Sequence, residues 1–232
     1  MHAHSCPKVR LIGLLGALLP ILLCGCASVS VKQDRWTKEP LAPPTRMYVA
    51  DYETPANVLD VDRTGAELES FRRTMARNFT TELCARISGR IAPAVPLEKG
   101  TRPQKGSWIV EGRVLRVEQG SRLLRTVVGL GAGGTKFEVL TKVSAVGPRG
   151  TRRVIGEIET TGGSNAEPGL LTLPTPIGGG VRAVVSATQS GVTADKRRTA
   201  RMITASMAEK LEAQGHRLIG KPEKVKRLQV DG

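Results

Sequence analysis

The stretch WIVEGRVLRV, Trp108 to Val117, puts apolar side chains on both faces of an extended chain: Trp108, Ile109, Val110, Val114, Leu115 and Val117. Successive residues of a strand point to opposite faces, so a run that is apolar on both predicts a strand in the middle of a sheet. Downstream, Phe137, Val139, Thr141, Val143 and Ala145 alternate with Glu138, Lys142 and Ser144, broken only by Leu140. That period of two predicts a half-exposed strand. Gly147-Pro148-Arg149-Gly150 reads as a turn into a third strand, Val154 to Thr161. Upstream, Arg46 to Tyr52 reads as a strand. Thr64-Gly65-Ala66-Glu67 has the form of a capping box. Leu68, Phe71, Met75, Phe79, Leu83 and Ile87 then recur every three to four residues, one apolar face of a helix that Gly89 is placed to end. A short strand is expected over Ile91 to Val95. A last helix is expected from about Ala194 to Ala213, with Ala200, Ile203, Met207 and Leu211 on one face and Gly215 closing it. The fold class is therefore α/β: a mixed sheet of four to five strands with two amphipathic helices on one face.

The N-terminus carries a different signal. Lys8 and Arg10 precede the nearly unbroken apolar run Leu11 to Leu23. A bilayer-spanning helix needs about 20 apolar residues, so a basic start followed by a short apolar core predicts a secretory signal peptide over residues 1–25. Its end, Leu23-Cys24-Gly25-Cys26, resembles a lipobox, with Cys24 a slight departure from the usual small residue. The resemblance implies cleavage before Cys26 and lipid, including palmitate, on that cysteine. Several acyl chains anchor a protein stably where one does not. Ala27 rather than Asp after the cysteine implies the outer membrane, with the protein facing the periplasm. Residues 26–44, with Ser28, Ser30, Lys32, Lys38, Pro40, Pro43 and Pro44, read as a lipidated N-terminus and tether. Residues 45–220 are expected to form one domain, and residues 221–232 a loose charged tail. Gly162 to Gly191, rich in Gly and Pro, reads as a long loop, which compact domains keep for function or leave disordered.

Composition narrows the function. The formal charge of +14 falls to +12 once the leader, with Lys8 and Arg10 and no acid, is removed. So basic a surface favours anionic partners, here an acidic envelope protein or anionic lipid. Aromatic residues make up 3% of the chain, too few for base-stacking platforms, and nucleic acid is not expected. The cysteines are Cys6, Cys24, Cys26 and Cys84. The first two leave with the leader and Cys26 is acylated, so Cys84 is expected buried and unpaired. His216 follows a helix-ending glycine with no catalytic partner nearby. Paired-cysteine zinc spacing, His-Glu-x-x-His and Gly-x-Ser-x-Gly are all missing from the sequence. No cofactor, metal or catalytic residue is expected. Gly129-Leu130-Gly131-Ala132-Gly133-Gly134 satisfies G-x-G-x-x-G on paper, but it leads into a strand, whereas the phosphate-binding loop must open a helix.

Ile109-Val110-Glu111-Gly112-Arg113-Val114, then Glu118-Gln119-Gly120-Ser121-Arg122 and Leu124-Arg125, then Val128-Gly129-Leu130-Gly131-Ala132-Gly133 into a strand, resembles the bacterial lipoproteins grouped as domain of unknown function 4410. The resemblance extends over residues 46–213 and implies no activity. A more distant likeness in strand and helix order, to periplasmic domains of the curli-secretion lipoprotein and of peptidoglycan-synthase activators, is an analogy of fold.

Three functions fit to different degrees. The first is a membrane-anchored envelope lipoprotein acting as a non-enzymatic binding or accessory module. The second is an oligomeric secretion or pore component, and the third an enzyme with a carboxylate site. For the first, the expected contact region is residues 122–136, a projection between two strands: Arg122, Arg125, Gly129, Gly131, Gly133, Gly134 and Lys136. Glycines let another backbone or surface approach closely, and apolar residues flanked by cations suit an anionic membrane or acidic partner.

Overall fold

A computed structural model describes residues 28–119, 135–164, 180–221 and 223–228. Seven strands form one mixed sheet: β1 (Ser28–Trp36), β2 (Met47–Val49), β3 (Leu59–Asp60), β4 (Ala94–Pro96), β5 (Trp108–Glu118), β6 (Thr135–Val146) and β7 (Arg152–Ser164). Two long helices accompany them, α1 (Gly65–Ser88) and α2 (Gly180–Glu212). The strand order is β1-β7-β6-β5-β2-β4, with β3 continuing the β2 side of β5. β5 is thus central, as its two-sided apolar pattern predicts. It pairs antiparallel with β6 and parallel with β2 and β3.

Both helices share one core with the sheet. Met75, Phe79, Leu83 and Ile87 of α1 meet Ile203, Met207 and Leu211 of α2 and the inward residues Phe137, Val139 and Val143 of β6. Phe79 lies edge-on to Tyr52 and Phe137, with centroids 4.9 and 5.0 Å away. Phe71, expected in this core, packs against its edge and is only half-buried, with the Arg63 guanidinium 4.4 Å over its ring. A small second cluster, Tyr48, Ile109 and Val146, is separate from this core.

Five expectations need correction. The count of four to five strands omits β1 and β3. β1 lies within the expected tether, 26–44. Val29 and Val31 are buried there, and Trp36 packs on Gly156, where any side chain would collide with the indole. Gly162–Ser164, read as loop, continue β7. Added Cβ atoms at Gly162 and Gly163 would strike Ser28 and Thr135 carbonyl oxygens, so their lack of side chains is what admits β1 and β6 on either side. α2 starts at Gly180, some fourteen residues before the expected Ala194, and its second half is buried almost all round: every residue from Met202 to Ala208 is buried. Finally, Thr64 is the N-cap of α1 but its hydroxyl makes no cap bond, and Glu67 pairs with Arg63 at 3.3 Å.

The described part of the charged tail, Lys221 and residues 223–228, is also placed. From Gly215 the chain passes Arg90, which is 7% exposed and donates to the Ile219 and Gly220 carbonyls and to Glu212. It then crosses α2 and reaches the free edge of β1. The Val31 amide donates to the Lys226 carbonyl at 2.7 Å and the Leu228 amide to the Val31 carbonyl at 3.0 Å. Arg227 pairs with Glu209 and Asp34. This strap shields a sheet edge that would otherwise offer unpaired backbone groups.

Candidate functional site

The face of the sheet away from the helices is a lattice of paired charges. Cross-strand register aligns Glu111 with Lys142, Glu157 and Arg35, and Arg113 with Leu140, Glu159 and Gln33. Lys32 Nζ donates to Glu159 at 2.7 Å, as does the Gln33 amide, and Thr161 donates to Glu138 at 2.6 Å. The hydrogen bond from Lys32 holds the Glu159 carboxyl below its ordinary range against the opposing effect of burial. Opposite charges facing each other across strands stabilise the pairing, and they leave this face close to neutral. Among the described residues the excess positive charge lies instead on the helices and strap, where Arg73, Arg77, Arg197, Arg217, Lys221 and Lys224 are exposed, and on the loops that carry Lys99, Arg102, Lys105 and Arg149.

One end of the sheet gathers more. The register sets Ser28 of β1, Gly163 of β7, Lys136 of β6 and Glu118 of β5 in one row. Lys136 Nζ lies 3.6 Å from Glu118, which Arg116 also pairs with. Beside this row Thr135 donates to the buried Asp195 of α2 at 2.5 Å, and Arg198 donates to Asp195 at 3.1 Å. The end of β6 is thereby pinned to α2. Next to it a groove of about 240 Å³ opens between the helices. Phe71, Thr74, Met75 and Asn78 of α1, Gln119 after β5, and Val192, Thr193 and Lys196 of α2 line it. Lys196 is 8% exposed, and burial, helped by Arg197, pushes its ammonium pKa down. A second hollow, about 190 Å³, lies between the end of α1, α2 and the strap.

Of the residues expected to make contact, Arg122, Arg125, Gly129, Gly131, Gly133 and Gly134 lie outside the described residues, as does Cys26. Their stems are described, and they belong to two adjacent antiparallel strands. Lys136 is a strand residue of β6, 43% exposed at its side chain, with Glu118 opposite at 3.6 Å. Lys196 was not singled out by the sequence reading, yet it carries a legible signal. It precedes Ala200, Ile203 and Met207 at helical spacing, a lysine inside the apolar stripe. Cys84 is buried, and burial with the nearby Asp51 charge pushes its thiol up to about 11, which makes it a poor nucleophile. His216 Nε2 lies 2.7 Å from the Leu41 carbonyl oxygen. His216→Ala is expected to cost about 0.5–1.5 kcal/mol, the worth of one such bond, and to leave cellular function at matched abundance unchanged. A lost phenotype at normal abundance would reopen the catalytic reading.

Among the described residues no group of His, Cys, Asp and Glu could hold a metal ion, and no helix is long and apolar enough to cross a membrane. The fold and its polar sheet face define an α/β domain with a seven-stranded mixed sheet, two helices and a C-terminal strap. The chain belongs to the family described as domain of unknown function (DUF4410), which matches residues 47–169, just over half of the chain. The match runs from β2 past β7, short of the expected 46–213, and leaves out β1, α2 and the strap. None of the curated proteins matches the sequence. Among solved structures, PelC of Paraburkholderia phytofirmans, a dodecamer, is 15% identical, covering 72% of this chain and 97% of its own, with a TM-score of 0.35. A hypothetical protein of Chlamydia trachomatis is 11% identical over 73% of this chain and 99% of its own, with a TM-score of 0.40.

Proposed function

We propose that this protein is a lipoprotein of the bacterial cell envelope, held at a membrane through lipid on Cys26, whose domain acts as a non-enzymatic binding or accessory module. The observation that carries the reading is the shared end of the sheet. Cys26 stands two residues before Ser28, and Ser28 lies in the same row as Lys136 and Glu118, the stems of the glycine-rich connection 120–134. At about 3.3 Å per residue, two residues reach only about 7 Å. An anchor there holds that end of the domain, with the stems of the 120–134 connection, against the lipid surface. The resemblance of Leu23-Cys24-Gly25-Cys26 to a lipobox, and Ala27 after it, favour the outer membrane with the domain in the periplasm. The non-enzymatic part draws support from the structural uses of His216 and Cys84 and from the pairing of the sheet-face carboxylates.

Cys26→Ser tests the anchor. The variant is expected to accumulate as an uncleaved precursor or to leave the membrane fraction, with no incorporation of labelled palmitate. A variant processed and labelled like the wild type would refute the assignment. Replacing Gly131 and Gly133 with Asp tests the contact. Loss of partner or vesicle binding with lipidation intact is expected, and unchanged binding at unchanged salt sensitivity would leave those glycines a structural role alone.

A further inference from the structure

The groove between α1 and α2 contains a lysine that the fold does not use. Lys196 is 8% exposed, one turn from the core residue Ala200, yet among the described residues its ammonium has no hydrogen bond and no carboxylate within ion-pair distance. Its stem is packed among apolar side chains, which lowers the ammonium pKa and leaves the head group at the groove with no counter-ion. The carboxylate whose field reaches it, Glu82, is already held by Arg86 at 2.7 Å and lies 3.9 Å from Arg197. Three cations thus share one acid, and the groove carries a net positive charge. Its other lining is of two kinds. Phe71, Met75 and Val192 are apolar, whereas Thr74, Asn78 and Thr193 are exposed polar side chains on the rim.

We infer that this groove binds a small carboxylate carried on an apolar group, with Lys196 as its counter-ion. An anion completes the ion pair that Lys196 lacks. Hydroxyl and amide donors on Thr74, Asn78 and Thr193 are within the same lining for the second carboxylate oxygen, and Phe71, Met75 and Val192 take the apolar part. Among the described lining residues the charged group is an ammonium, a point charge, and the Arg63 guanidinium beside them is taken up by Gln119 and the Phe71 ring. A volume of about 240 Å³ is below that of most drug-sized sites and suits one residue of a peptide end or a short acyl chain. Both present the same chemistry, a carboxylate beside an apolar side. The inference rests on the reading of the domain as a binding module and is independent of the lipid on Cys26.

The test uses the mature protein in nonionic detergent, with its methionines labelled at the ε-methyl carbon. Met75 lines the groove, whereas Met47, Met202 and Met207 are core residues outside it and serve as controls. The probes are acetyl-alanyl-leucine with a free carboxylate, the same peptide as its C-terminal amide, octanoate, and dioctanoyl phosphatidylglycerol. The expected result is a saturating shift of the Met75 methyl with the free acid, at least tenfold weaker binding of the amide, and still core resonances. A tighter response to the peptide acid than to octanoate assigns the source to a peptide end, and the reverse to a fatty acid. Lys196→Met is expected to weaken binding at least tenfold. Thr74→Glu, at an exposed rim position, is expected to do the same by supplying a competing carboxylate, and serves if Lys196→Met fails to fold. A silent Met75, equal response to acid and amide, or a response to the phosphatidylglycerol alone would overturn the inference. Loss of palmitate labelling, by contrast, would refute only the anchor.

Discussion

Phe79→Ala is expected to lower the unfolding free energy by about 3–5 kcal/mol, the usual cost of removing a buried phenyl ring from a packed core. Phe79 is 1% exposed and joins three elements: α1, which carries it, the Tyr52 ring beyond β2, and Phe137 of β6. Edge-to-face pairs add to the area such rings bury. The chain has only three phenylalanines, two tyrosines and two tryptophans, so this trio is most of its non-tryptophan aromatic mass. A urea midpoint unchanged within error would show that α1 does not pack through this residue.

Arg90→Ala is expected to cost roughly 2–4 kcal/mol, since bonds involving a charged group are each worth about 1.5–3 kcal/mol and several go at once. Arg90 bonds the Gly220 carbonyl at 2.5 Å, the Ile219 carbonyl at 3.2 Å and Glu212 at 2.7 Å, so it fixes the point where the strap leaves α2. Amide exchange at Val31 and Leu228, the two amides bonded between the strap and β1, is expected to accelerate more than exchange in β5 and β6. Equal protection at all four places in the variant would mean that the strap holds without its clamp.

Much of the fold was legible because burial imposes a period. β5 has neighbours on both edges, but it is packed on both faces only at Trp108–Val110, where Ile109 joins Tyr48 and Val146; from Glu111 on, its outer face carries Glu111, Arg113, Arg116 and Glu118 of the charge lattice. β6 alternates because Phe137, Val139 and Val143 face the helices while Lys136, Glu138 and Lys142 face the charge lattice. The α1 face is less deeply buried at its start: Leu68 and Phe71 are half-buried, and full burial begins at Met75. β1 was hidden by composition. Val29 and Val31 alternate with Ser28, Ser30 and Lys32, but only over a few residues before Gln33, Asp34 and Arg35, and the prolines beyond read as tether. β3 is two residues long, too short for any period to show. α2 was cut short because Gly180 and Gly191 weaken a helical reading, although Val181, Val184 and Val185 are spaced as on one face. The row that unites Ser28 with Lys136 and Glu118 is a product of register between distant strands, and no local pattern announces it. Lys196 was visible as a charge in an apolar stripe, but its lack of a partner depends on where Glu82, Arg86 and Arg197 lie in space.

The central claim, a domain held by one end at a membrane through Cys26, meets its most direct test in the intact mass of the mature protein from envelope membranes. The account predicts a chain beginning at Cys26 with the added mass of a diacylglyceryl group and acyl chains, and none of residues 1–25. A chain with an unmodified Cys26, or one that retains those residues in the mature form, would contradict it.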